Sequence, residues 1–153
     1  MHSKINNKSS LEGPSTNYQI PKRFPTSATD TLNYLLKHGT DQQINFVFHL
    51  DGRVNEEILN KALRLSLDAE PVLGCNLVKE SKKAYWERRE NLDHEEYFQI
   101  IDGNNLEDKM RNYILGEIDP CKDPLIQIRV YRDKNDILVI KSDHSVMDGG
   151  GFY

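Results

Sequence analysis

At 153 residues, with a net charge of −4 and no basic block, the chain has the size of one domain with a real core and lacks the charge for sequence-independent nucleic-acid binding. Mean hydropathy is −0.68 and no apolar run approaches spanning length, so no membrane span is expected. Cys75 and Cys121 lack metal-ligand spacing, His2, His38, His49 and His94 are scattered, and the polar opening has no signal-peptide core. Free thiols, no metal and a cytoplasmic location are the expectation.

Residues 1–20 carry Ser, Asn and Lys with little apolar content and read as a disordered leader. Pro21 and Pro25 bracket an extended entry segment. Ser27 or Thr29 then caps a short helix with apolar positions Leu32, Leu35 and Leu36, and Gly39 follows its end. Residues 44–50 alternate cleanly, with Ile44, Phe46, Phe48 and Leu50 on one face of a strand that Asp51 and Gly52 terminate. Asn55 caps a second helix, with Glu56 and Glu57 in the first turn, where the helix dipole favours acids, and Val54 placed to pack on Leu59. Ile58, Leu59, Ala62, Leu63 and Ser66 form its predicted inward stripe, and Pro71 ends it.

Residues 72–78 and 84–88 read as two strands joined by a polar turn, with Trp86 a half-buried sheet residue. A short strand over 97–101 precedes a third helix, whose stripe is Leu106, Met110, Tyr113 and Ile114. Residues 125–131 alternate again, and the loop 133–136 turns the chain antiparallel into the apolar strand 137–140. This order predicts an α+β fold, a two-layer sandwich in which a mostly antiparallel sheet carries its helices on one face.

The last strand delivers Asp143 and His144 to its exit, and Asp148, Gly149, Gly150 and Gly151 follow. A histidine there is either a satisfied structural residue before an Asp-Gly turn or a titratable group presented in a cleft. The glycines let backbone N–H groups approach a ligand closely.

The stretch Asp143-His144-Ser145-Val146-Met147-Asp148-Gly149 resembles the His-His-x-x-x-Asp-Gly signature of the chloramphenicol acetyltransferase-like superfamily. That group includes nonribosomal-peptide condensation domains, alcohol O-acetyltransferases, wax ester synthases and polyketide-associated acyltransferases. His144 matches the signature's second His, Asp148 its Asp and Gly149 its Gly, and Asp143 stands at the first His. Residues 46–73 are also similar to the family's opening of strand, Gly, amphipathic helix and Pro-x-Leu, with Gly74 where many members carry Arg.

The resemblance covers residues 21–153 and implies the N-terminal half of a two-half domain whose active site lies between the halves. On that reading the chain ends at the active-site motif. It needs a C-terminal half or a second chain, and alone it folds, self-associates and does not catalyse. The implied reaction moves an acyl group from acyl-CoA or a phosphopantetheinyl carrier protein to an alcohol or amine, with His144 as general base and no bound cofactor or metal. Asp148 and Gly149 are implied to shape the loop. Asp148 pairs with an Arg, for which Arg23, Arg129 and Arg132 are the candidates, or orients His144 as in a triad. Asp143 either holds the loop by hydrogen bonds or is solvated. The competing function is a catalytically degenerate module that binds a carrier protein or another synthase domain.

Overall fold

The alternating apolar segments assemble into two sheets in the computed structural model of the chain. Residues 19–37, 39–40, 43–81, 83–90, 92 and 97–147 are described, so the expected leader falls almost wholly outside them. One sheet has the order β2-β7-β6-β5, from Gln43–His49, Asp136–Asp143, Ile126–Arg132 and Phe98–Ile101. The other has the order β1-β4-β3, from Arg23–Pro25, Lys83–Arg88 and Cys75–Glu80. The helices are α1 (Ala28–Leu36), α2 (Glu56–Ala69) and α3 (Leu106–Leu115), and a 3-10 turn covers Pro71–Gly74.

Register decides which side chains share a face. Phe46 lies opposite Ile140 and Ile140 opposite Ile128, so the even-numbered apolar residues of β2, β7 and β6 form one surface. Leu63 and Leu67 of α2 bury themselves there against Ile126 and Ile128, with Leu59, Leu138 and Ile140 packed around them. The opposite surface receives α3. Tyr113 stands 6.5 Å from Tyr131, ring to ring, and its hydroxyl donates to the Gln127 carbonyl at 3.3 Å. Lys141, only 2% exposed, donates from Nζ to the carbonyls of Tyr113 and Gly116 and so closes the C-terminal end of α3.

The α+β class and the mostly antiparallel pairing are as the sequence predicts. Two details differ. The strands divide between two sheets, the smaller built on a second core of Cys75, Leu77, Trp86 and Leu125. The larger sheet carries α2 on one face and α3 on the other, because β5 and β6 run parallel and a parallel pair needs a crossover, which α3 supplies.

Local chemistry explains the helix ends. Asn55 caps α2 by accepting from the Ile58 N–H at 3.0 Å. Ser27, not Thr29, caps α1 in a reciprocal capping box with Asp30. The inward stripe of α2 is Leu59, Leu63 and Leu67, whereas Ile58 is 67% exposed. Leu32, Leu35 and Leu36 also face outward, and no residue of α1 is buried.

Trp86 is 1% exposed, more deeply buried than predicted, and its indole N–H donates to Asp30 at 2.9 Å, tying α1 to the smaller sheet. Asp136, taken from sequence as part of a polar hairpin loop, is fully buried. Its carboxylate accepts from the Val54 N–H at 2.9 Å and from Arg132 Nη2 at 3.1 Å, and Arg132 also pairs with Glu56. This cluster binds the β6–β7 hairpin to the start of α2.

Candidate active site at the exit of the central strand

β7 lies between β2 and β6 and is paired through Asp143, which sits opposite Gln43. His144 is therefore the first residue beyond a strand held on both sides. It begins a turn closed by the Val146 N–H donating to the Asp143 carbonyl at 3.3 Å. Val146 packs against both cores, so the turn is seated where they meet.

Asp143 is 4% exposed and turns inward. Its Oδ1 accepts from the Ser145 N–H at 2.9 Å and from the Ser145 hydroxyl, an Asx-type turn spanning His144. The Asp143 N–H and the Ser142 hydroxyl both donate to the Leu125 carbonyl, at 2.9 and 3.1 Å. The His144 carbonyl accepts from Asn33 Nδ2 at 3.1 Å, and the His144 side chain is exposed.

An open cleft of about 490 Å³ lies beside His144. Thr29 and Asn33 of α1 form one wall, Glu70, Val72 and Leu73 another, and residues 144–147 the third. The apolar share of this lining comes from Val72, Leu73, Val146 and Met147, suited to an apolar group of a ligand. Among the described residues, no group of three or more His, Cys, Asp or Glu is placed to hold a metal ion.

Asp148, Gly149, Gly150 and Gly151 lie outside the described residues. Of the three arginines considered as partners for Asp148, Arg23 pairs with Glu87 at 2.9 Å and Arg132 with Asp136 and Glu56. Arg129 is buried, donates to the Ile128 carbonyl at 3.0 Å and stands over the Tyr113 ring.

Gly74 fits its place for a steric reason. A Cβ there would fall 3.0 Å from Leu92 Cδ2 and 3.1 Å from Arg88 Nη1. Arg88, opposite Cys75 on β4, fills the space and donates to the Leu67 and Pro71 carbonyls and to Asp68. Sequence reading overlooked Arg88, Asn33 and Ser145. Only the last carried a signal, its position two residues after an Asp that could accept from it.

Burial pushes the Asp143 carboxyl above the usual carboxylate range, and the bonds from Ser145 offset this only in part. The folded chain thus holds that proton more tightly than the unfolded chain, and stability falls as pH rises from the ordinary aspartate value to the raised one. Asp143→Asn keeps an acceptor for Ser145 and removes the buried charge. Its denaturation midpoint is expected to exceed that of the wild type at neutral pH, by a margin that grows across the same pH window and then levels. Asp143→Ala, which orphans the Ser145 N–H, is expected to lose about 1–3 kcal/mol. Denaturant titrations at several pH values check both, and a margin largest in acid would contradict the assignment.

No protein-family model and no curated protein matches the sequence. Solved structures do. The starter condensation domain of rhizomide synthetase RzmA superposes with a TM-score of 0.69 at 14% identity, covering 87% of this chain and 36% of that one. A double mutant of the same domain, in complex with C8-CoA and Leu-SNAC, gives 0.68 at 14% identity, covering 86% and 33%. The tallysomycin biosynthesis protein TlmII gives 0.61 at 19% identity, covering 79% and 31%. The chain spans about a third of the length of these structures. Over most of its own length, it has the fold of the matching third of a condensation domain.

Proposed function

We propose that this chain supplies the histidine-bearing half of an acyltransferase that moves an acyl group from a thioester to an alcohol or amine. The observation that carries the reading is the exposed His144 at the exit of the paired central strand, facing a partly apolar cleft. An imidazole can take the proton of the attacking hydroxyl or amine as its oxygen or nitrogen bonds to the acyl carbon. The tetrahedral intermediate then expels the thiolate, and the same proton passes from the imidazolium to sulfur, so neither cysteine need act as a nucleophile. The donor is acyl-CoA or a phosphopantetheinyl carrier protein, acting as a co-substrate with no bound cofactor. The RzmA domain crystallised with C8-CoA supports a thioester of that class.

Asp148 and Gly149 shape the loop after His144, and Asp143 holds its first turn. The remainder of the domain comes from the same protein or a second chain and closes the open side of the cleft. No helix among the described residues is long and apolar enough to cross a membrane. Free thiols at Cys75 and Cys121 suit the reducing cytoplasm, where we place the reaction.

Release of CoA from octanoyl-CoA by the full-length protein, with and without an alcohol or amine acceptor, tests the proposal. Acceptor-dependent release is expected, and none with any acceptor of either class would contradict it. A degenerate, carrier-binding module is the second reading, favoured by Asp143 at the place of the first signature His. It predicts carrier binding that is unaffected by His144→Ala.

Leu32, Leu35 and Leu36 are each between 44% and 61% exposed on one helix, an apolar patch that usually recruits a partner or aggregates. The isolated chain is expected to sediment as a species larger than its 17.7 kDa monomer. A Leu32→Lys, Leu35→Glu double variant is expected to return it to monomer, and a strictly monomeric wild type would contradict this.

A further inference from the structure

α1 buries no residue fully. Tyr34 packs against the core of the smaller sheet, and polar contacts hold both ends of the helix. In its first turn Asp30 receives the Trp86 indole N–H at 2.9 Å, and just past its last turn Lys37 meets Asp119 at 3.4 Å. Between these anchors Asn33 lines the cleft and donates from Nδ2 to the His144 carbonyl at 3.1 Å. From the other side, Asp143 Oδ1 receives the Ser145 N–H at 2.9 Å together with the Ser145 hydroxyl.

We infer that Asn33 is a positioning residue for His144, clamping its main chain against the Asp143–Ser145 turn and so setting where the imidazole stands in the cleft. The inference rests on the reading of His144 as the acyl-transfer base. Beside the packing of Tyr34, α1 contributes two polar groups to the cleft lining, Thr29 and Asn33, held by contacts at both of its ends. At the exit of a strand, the carbonyl of the first free residue has no ladder partner, and the peptide plane it belongs to is one of the two that set the direction of that residue's own side chain. An amide donor fixed on a tethered helix satisfies that carbonyl and holds that plane. A general base works only within a narrow range of distance and angle to its proton, and supporting contacts of this kind maintain that range.

Asn33 is half-buried and belongs to neither core, so its replacement leaves both intact. Asn33→Ala removes the donor. Asn33→Asp keeps the size but sets a carboxylate against the carbonyl. In the full-length protein, each is expected to lower kcat for CoA release from octanoyl-CoA by about 10- to 10²-fold. KM is expected to stay within about twofold of wild type, with the melting midpoint unchanged. In the 153-residue chain, both variants are expected to move the His144 carbonyl ¹³C resonance upfield and to introduce ¹⁵N relaxation dispersion over 143–147. A raised KM with kcat intact would make Asn33 a substrate contact instead and overturn the inference, as would wild-type kcat in both variants. An unmoved His144 resonance would overturn the contact itself. Failure of the functional reading shows separately: wild-type release by His144→Ala removes the base, and the positioning role falls with it.

Discussion

Replacing His144 by alanine in the full-length protein is expected to cost about 10²- to 10⁴-fold in acyl transfer, the usual effect of removing a general base. The fold is expected to survive. The His144 side chain is exposed, and the contacts that shape its turn belong to its carbonyl, to Asp143 and to Ser145. Truncating the ring therefore opens no core cavity, and substitutions at such positions usually change stability by under about 0.5 kcal/mol. kcat/KM for CoA release, read beside the denaturation midpoint, separates the two effects. Turnover within a few-fold of wild type would remove His144 from the chemistry. A collapsed midpoint would make it a structural histidine.

Asp136→Ala is expected to lose about 3–5 kcal/mol of stability, the cost of breaking a buried ion pair by removing one partner. Asp136 is fully buried, and Arg132 keeps 17% of its side chain exposed, so water can compensate little of the loss. The change would leave the Val54 N–H without its acceptor at the start of α2, and Arg132 with only the more exposed Glu56. Against a typical total of about 5–15 kcal/mol, that is a large fraction.

Burial tends to raise the Asp136 carboxyl, but the bonds from Arg132 and the Val54 N–H, with the charges of Arg132 and Arg53, outweigh it and hold the group below the usual range. Its contribution is therefore complete above the ordinary aspartate value and is lost as pH falls through the lowered one. Asp136→Asn keeps an oxygen for Val54 and is expected to lose less than alanine and to lack this part of the acid sensitivity. Denaturant midpoints from neutral to acid pH check this, and an alanine variant as stable as wild type would contradict it.

Much of the fold was legible because local signals and tertiary packing agree. The strand expected over 44–50 (43–49 in the structure), the Asn55 cap and the antiparallel hairpin into β7 are all present. The failures occur where long-range partners decide. Leu32, Leu35 and Leu36 have helical spacing, which says that a face is apolar but not that anything in this chain covers it. The α2 stripe was misplaced by its exposed members Ile58 and Ala62, because periodicity does not fix where the stripe is centred. Asp136 has turn chemistry in sequence, and only its pairing with Val54 and Arg132 reveals a buried ion.

At the site, His144 stood out by its place at a strand exit. Asn33 could not, since it lies 111 residues away from the carbonyl it contacts. Sequence left Asp143 either as a residue that holds the loop by hydrogen bonds or as a solvated one, because its burial and its bond from the Ser145 N–H depend on packing that the local sequence does not encode.

The most direct test of the thioester cleft is a titration of octanoyl-CoA into the isotope-labelled chain, followed residue by residue by NMR. Saturable shifts are predicted at Asn33, Val72, Leu73 and residues 144–147, the groups around the opening beside His144. No shift at those residues, or shifts confined to a second opening, lined by Arg23, Asn76, Arg88 and Arg89, would contradict the assignment of this cleft to the acyl thioester.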